Sequence, residues 1–376
     1  DEYAFQFIRN KISDIEITPA QLALDPCSAS AVITDVNTGE VRALVTYPSY
    51  DNNKFSGTVD AEYYNKLNND QSLPLFNNAT QAQKAPGSTF KPIIAVAALE
   101  EGVIGLNDTV NCTGIYKEIT PALRCWIYPG QHGPLDVVHG IQNSCNVFFS
   151  EMGHRLSMDE NGNYSPELGI EKIRKYASMF GLDETSGIEI AEREPQMTTE
   201  KPEASSIGQG KNSYSNIQLS RYITAVANKG TVFKLSLLDK MTDSQGNLLK
   251  DFTPEVRSTI DVKDSTWNAV HTGMRRVISD GSARKIFSDL EVDIAGKTGT
   301  AEEIKNGHRV NHAFFVSFAP YQNPEIAVTV NIPYGYSSSN AATAAKNIYR
   351  FYYGYTDLNY ILNNSALNSS NVEIGD

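Results

Sequence analysis

Cysteine is scarce in this chain, with four in 376 residues. So few cannot supply a disulfide framework, and a chain of this length can bury a sizeable core instead. Positive charge is also in deficit. Thirty-two Lys and Arg face 44 Asp and Glu, for a net charge of −12. That balance argues against nucleic acid, whose phosphates need clustered cations. No run approaches the ~20 apolar residues of a membrane-crossing helix. The first residues, Asp1-Glu2-Tyr3, do not read as a signal peptide, which fits the soluble part of a longer, anchored protein. What is present is ordinary for a globular protein: 40% hydrophobic and 10% aromatic residues, with no internal repeat.

Length alone suggests two or three domains of ~150 residues. No linker interrupts the chain, however, so one large domain over 1–362 with two subregions is expected. Ala31–Asp35 and Val41–Thr46 read as a hairpin turned at Asn37-Thr38-Gly39. Residues 49–84 are rich in Asn, Asp and Gln and read as a long surface segment. Ser88–Glu101 reads as a buried helix, with Pro92 in its first turn and Gly102 as its stop. Residues 103–230 read as mainly helical, ending in a helix over Gln218–Ala227. Then come a strand at Thr231–Leu238, a helix at Asp264–Ile278, and strands at Val292–Thr300, His312–Phe318 and Ile326–Ile332. A last helix spans about Asn340–Tyr353, and the Asn/Ser-rich residues 363–376 read as a disordered tail. The pattern is α+β. An antiparallel sheet forms from both ends of the chain (28–48 and 231–355), with a helical subregion at about 85–230.

Three short strings carry chemistry. Ser88-Thr89-Phe90-Lys91 puts a hydroxyl and an amine three residues apart at a helix start, on one face. A serine nucleophile needs a base, and lysine serves as one only when neutral. Burial and a second cation, here Lys297, both disfavour the charged ammonium. Ser144-Cys145-Asn146 offers a hydroxyl that can relay a proton and a carboxamide that can hold a substrate amide. Lys297-Thr298-Gly299-Thr300 fits a strand edge, with Gly299 leaving room for a peptide to add as a strand. Its two hydroxyls and its cation suit a carboxylate. Alone, each string reads as well as a helix cap or a plain strand. In this order they form the signature of an active-site-serine acyltransferase acting on D-alanyl peptides or β-lactams.

With Ala85-Pro86-Gly87 before Ser88, Ser206-Ile207-Gly208-Gln209-Gly210, and His312-Ala313-Phe314-Phe315-Val316, the chain resembles the class B penicillin-binding transpeptidases over about residues 25–355. The resemblance implies a five-stranded antiparallel sheet flanked by helices, with an all-helical subregion. It implies peptidoglycan D,D-transpeptidation and covalent acylation by β-lactams. Ser88 would be the nucleophile, Lys91 its base and Ser144 the proton relay. Asn146 would clamp an amide, Lys297, Thr298 and Thr300 would bind the terminal carboxylate, and the backbone N–H groups of Ser88 and Thr300 would form the oxyanion hole. The chemistry needs no cofactor. The implied partners are peptidoglycan stem peptides, β-lactams, and a glycosyltransferase with other cell-wall proteins, at the extracytoplasmic face of the bacterial cell membrane. A serine β-lactamase and a non-enzymatic β-lactam sensor share the scaffold. The first lacks a convincing general-base glutamate here, and Asn146 disfavours the second.

Cys112, Cys125, His132 and Cys145 are separated by 12, 6 and 12 intervening residues. Four such ligands suit a closed tetrahedral zinc site bracing the second string. The resemblance points the same way, since some elongation-type relatives carry a metal near here. A Cys112–Cys125 disulfide and inert thiols are the other readings, and His139 or Asp136 could replace a ligand. Cys27 reads as a core residue.

Overall fold

The computed structural model describes residues 2–13, 16–17, 22, 27–305 and 307–364. Its centre is a five-stranded antiparallel sheet. The strands are β1 (Ala29–Asp35), β2 (Val41–Tyr47), β3 (Ala295–Lys305), β4 (His308–Ala319) and β5 (Ile326–Ile332), in spatial order β3-β4-β5-β1-β2. The N-terminal hairpin joins strands from the far end of the chain through β1 and β5, with Ser30 opposite Asn331 and Asp35 opposite Ile326. The sheet is therefore drawn from both ends of the sequence, as the pattern requires.

Alternation decides which face of each strand is covered. In β1, Ser30, Val32 and Thr34 are buried while their neighbours are partly exposed. Seven main helices matter for the site: α1 (Lys91–Glu100), α2 (Val137–Gln142), α3 (Asn146–Leu156), α4 (Pro166–Met179), α5 (Asn216–Ala227), α6 (Asp264–Ser279) and α7 (Ser338–Tyr352). The buried face of β1 meets α5, where the Thr34 and Thr224 hydroxyls lie 2.6 Å apart. Strand β5 is covered on both sides and reads as a nearly continuous apolar run, IAVTVNI. On the far side, α7 presents Ala341, Ala342, Ala345 and Tyr349 at helical spacing. Tyr349 reaches the Ser317 hydroxyl at 2.9 Å.

Helix α1 is apolar all round and buried from Lys91 to Leu99, with Pro92 in its first turn. A buried helix has no polar face to mark its orientation, so neighbours on every side hold it. The residues that pack around it come from α2, α3, α4 and α6.

Several elements depart from the sequence reading. The surface segment 49–84 contains a turn of 3-10 helix, Asn52–Phe55, and a helix, Ala61–Asn68, capped by the Asp60 carboxylate. The part read as helical also carries two short ribbons, Val110–Cys112 with Gly133–Leu135 and Ile115–Tyr116 with Leu123–Arg124. Thr231–Lys234 is a strand but not part of the main sheet; it pairs with Glu255–Thr259. The strand expected from Val292 begins at Ala295 and runs on to Lys305. At the N-terminus, where residues 1–27 read as including a short helix or arm, Glu2–Ser13 is a helix, as expected. The expected tail at 363–376 lies outside the described residues, apart from the two that end the helix Leu358–Asn364.

Candidate active site

Gly87–Phe90 form a 3-10 turn that runs directly into α1, and all four residues are buried. The backbone N–H of Lys91 donates to the carbonyl of Ser88, so the two residues sit one turn apart on the same side. Gly87 has φ +54°, which favours glycine. Its position is also crowded. A Cβ there would stand 2.7 Å from the Thr300 carbonyl oxygen, and one on Gly208 would stand 1.9 Å from the Gly87 carbonyl oxygen. The Gly87 N–H donates to Gly208 at 3.0 Å. The Ser206–Gly210 segment therefore backs the serine turn from one side and β3 closes on it from another.

The second string occupies the tight turn between α2 and α3. Ser144 takes φ +49°, a left-handed conformation uncommon for a non-glycine residue. Cys145 caps α3 by accepting from the Phe148 N–H. The amine of Lys91 donates to the Ser144 carbonyl at 2.7 Å, to the Ser144 hydroxyl at 3.3 Å and to Asn146 Oδ1 at 2.7 Å. The amine of Lys297 reaches the same Ser144 hydroxyl at 2.7 Å and the Thr298 carbonyl at 3.0 Å. Both lysines and Ser144 are fully or almost fully buried. Two amines from opposite ends of the chain thus meet on one hydroxyl. Asn146 is held at both ends, because its Nδ2 donates to the Arg124 carbonyl at 3.1 Å.

Lys297–Thr300 lie on β3, the edge strand of the sheet. Gly299 corrects one expectation. The room it leaves is filled by the serine turn, since a Cβ at 299 would stand 2.7 Å from Thr89 Cγ2 and 3.1 Å from the Pro86 oxygen and the Thr89 nitrogen. The glycine lets the strand press on the turn rather than clearing a path for a peptide on that face. Thr298 has a neighbour that no motif announced, the Ser282 hydroxyl at 3.4 Å. Arg124 was missed too, because it contributes a backbone carbonyl, which has no residue signature.

Cys112, Cys125, His132 and Cys145 come together, with all four donor atoms within 4.8 Å of one another. His139 and Asp136 are not among them. Those two pair at 2.8 Å, and the far side of the His139 ring meets Arg276. The four cysteines are free thiols, so no Cys112–Cys125 disulfide forms, and Cys27 is half-buried rather than in the core. Cys125 and Cys145 sulfurs are 3.9 Å apart, and His132 Nδ1 lies 3.5 Å from Cys112 and 3.7 Å from Cys125. Sulfur contact with Cys145, then the His132 ring, holds the Cys125 thiol below its ordinary pKa, and Cys145 lowers Cys112 likewise. The same contacts, together with burial, raise Cys145. Burial alone would lower His132, but its bonds to Cys125 and Cys112 outweigh that and raise it.

A profile of the penicillin binding protein transpeptidase domain matches residues 29–350. The chain belongs to the penicillin-binding protein transpeptidase family. It is similar to the peptidoglycan D,D-transpeptidase MrdA of Haemophilus influenzae, 30% identical over 366 residues, covering 88% of this chain and 53% of the relative. The MrdA of Escherichia coli K12 is 31% identical over 351 residues, covering 85% and 53%. Pseudomonas aeruginosa PBP2, solved in complex with WCK 5153, superposes with a TM-score of 0.74 at 29% identity, covering 89% of this chain and 75% of that one. The protein of a solved peptidoglycan synthase complex superposes with a TM-score of 0.77 at 26% identity, covering 88% and 56%. This family member thus spans about half the length of the curated relatives it matches.

Proposed function

We propose that this chain is the transpeptidase domain of a class B penicillin-binding protein, a peptidoglycan D,D-transpeptidase working through a serine acyl-enzyme. Ser88 Oγ attacks the carbonyl of the penultimate D-alanine of a stem peptide while Lys91 takes its proton. Two cations beside one hydroxyl repel, which favours one neutral amine in the Lys91–Lys297 pair. The oxyanion forms against the backbone N–H groups of Ser88 and Thr300, neighbours because Gly87 touches Thr300. Ser144 passes the proton to the departing amine, the C–N bond breaks, and the last D-alanine leaves. An amine from a neighbouring stem peptide then attacks the ester, and Ser88 recovers its proton along the same route. Lys297, Thr298 and Thr300 hold the terminal carboxylate, and Asn146 holds a substrate amide. The free edge of β3 suits a peptide adding as a strand. A β-lactam enters the same path, but its opened ring remains tethered and the ester persists.

The observation that carries this reading is the meeting of the Lys91 and Lys297 amines on the Ser144 hydroxyl, with Lys91 itself one helical turn after Ser88. The test is mass spectrometry of the chain after exposure to penicillin. One adduct per chain, mapped to Ser88 and lasting minutes to hours, is expected. An adduct on another residue, undiminished labelling of Ser88→Ala, or rapid turnover would refute it.

We extend the proposal to a structural zinc. A zinc ion with Zn–S bonds of about 2.3 Å needs ligand atoms about 3.8 Å apart. Three of the spacings, Cys112–His132 at 3.5 Å, Cys125–His132 at 3.7 Å and Cys125–Cys145 at 3.9 Å, fit that requirement, and all four donor atoms lie within 4.8 Å of one another. With four protein ligands the ion would brace the fold and leave no open position for substrate. Two ligands adjoin the groups that matter. Cys145 lies between Ser144 and Asn146, and Cys125 follows the Arg124 carbonyl that fixes the Asn146 amide. Purified, unchelated protein should hold ~1 zinc per chain, and elemental analysis showing less than ~0.1 would refute the brace.

Residues 1–362 are taken as one catalytic domain. The proposed setting is the extracytoplasmic face of the bacterial cell membrane, with an anchor N-terminal to these residues and a glycosyltransferase among the partners. The greater length of the relatives leaves room for that anchor, and no helix among the described residues is long and apolar enough to cross a membrane.

A further inference from the structure

Near the serine turn, four segments are tied through one carboxylate. Glu303 Oε2 accepts from the Lys84 amine at 2.6 Å and from His312 Nε2 at 2.8 Å. His312 Nδ1 accepts the backbone N–H of Tyr334 at 3.2 Å. These roles define a neutral imidazole with its proton on Nε2. The ring is almost wholly buried, packed 4.9 Å from Tyr334, while the Lys84 amine lies 5.5 Å from the Tyr334 ring centre.

Each member sits next to something the reaction needs. Lys84 is four residues before Ser88, and its backbone is pinned by paired bonds to Tyr214 at 3.2 and 3.0 Å. Glu303 is three residues beyond Thr300 on β3. His312 is opposite Ala301 in the β3–β4 register. Tyr334 opens a turn in which Tyr334 and Tyr336 both take left-handed conformations, φ +57° and +61°. Strain of that kind persists only where its surroundings hold it, and the His312 bond is one of the holds. The lead into the nucleophile and the strand carrying Thr300 are therefore fastened to each other by a charge-assisted bond.

We propose that Glu303, with Lys84 and His312, is a positioning group that sets the distance between Ser88 and Thr300, and so the width of the oxyanion hole. It acts through the backbone it fastens, not on the reacting atoms. The inference rests on the acyl-transfer reading above. Its signature is a loss in the chemical step with substrate capture retained, because the carboxylate-binding side chains are left alone. A displacement of about 1 Å at the reacting centre can cost about 10²-fold in rate.

The test is the rate of acylation of the intact chain by a fluorescent penicillin, split into noncovalent affinity and the acylation rate constant. Glu303→Ala should slow acylation by roughly 10- to 100-fold with affinity changed less than about threefold. Glu303 is 41% exposed, so this variant should fold and melt near the parent. Glu303→Gln keeps an oxygen to accept from His312 and Lys84 and should recover most of the rate. A merely structural role would not give that rescue, nor a loss confined to one constant. Glu303→Ala acylated within twofold of the parent would overturn the inference, as would a loss in affinity alone. So would equal losses in both variants accompanied by equal falls in melting temperature. Failure of the unaltered chain to label at Ser88 would instead overturn the acyl-transfer reading, and this inference with it.

Discussion

Replacing Gly299 by alanine tests the contact between β3 and the serine turn. The added carbon would lie 2.7 Å from Thr89 Cγ2, about 1 Å inside the ordinary carbon–carbon separation of about 3.5–4.0 Å. The Thr89 methyl cannot simply rotate away, because its hydroxyl partner on the same carbon donates to the Pro86 carbonyl at 2.7 Å. The other two close atoms, 3.1 Å away, are backbone. Relief therefore requires the Pro86–Phe90 turn and β3 to separate by several tenths of an ångström or more. Overpacking of this kind costs about 1–3 kcal/mol. The larger effect falls on chemistry, because the same movement carries Ser88 away from Thr300. Acylation by labelled penicillin should slow by about 10²-fold, while the melting temperature falls by only a few degrees. A Gly299→Ala variant acylated within threefold of the parent, with an unchanged melt, would show that the contact is slack and the reasoning wrong.

Lys91→Ala should lower acylation by ~10²–10⁴-fold, as expected for loss of a general base, and burst labelling would measure it; near-parental labelling would remove Lys91 from the mechanism. Exhaustive chelation should lower the melting temperature and weaken acylation together, both restored by zinc; a chelator-insensitive melt would count against the brace. His271 is buried, donates to the Val226 carbonyl at 2.7 Å, and is pushed by desolvation down to about 4 from 6.5. Its contribution to stability is complete above pH 6.5 and is lost as pH falls toward 4, because the unfolded chain takes up the proton first. That loss is worth up to about 3 kcal/mol, and urea unfolding at pH 5 and pH 7.5 should show a smaller difference in His271→Gln.

The sequence made the chemistry more legible than the architecture around it. Side chains that react must be of particular types at particular spacings, so these residues could be singled out; Lys91, Ser144, Asn146 and Lys297 meet through their side chains, and Ser88 lies one turn before Lys91. Groups that act through the backbone left less trace: the Arg124 carbonyl on Asn146 had none, and the string containing Gly208 did not show that it would back Gly87. The short ribbons near Cys112 and Cys125 escaped notice because strands of two or three residues have too little length to show alternation. The strand expected over Thr231–Leu238 forms over Thr231–Lys234 only, and its partner could not be read, since register is a property of two segments. Gly299 was noticed for the wrong neighbour. A bare Cα shows that something comes close, not what.

Ser30 lies opposite Asn331, some three hundred residues later in the chain. During synthesis the hairpin Ala29–Tyr47 must therefore wait, one edge unmatched, until the last of the described strands, Ile326–Ile332, emerges. Long-range pairing of this sort is slow and leaves an adhesive edge exposed meanwhile. The sheet cannot be assembled piecemeal, and the interval before closure is when this polypeptide is most in need of protection from its own copies.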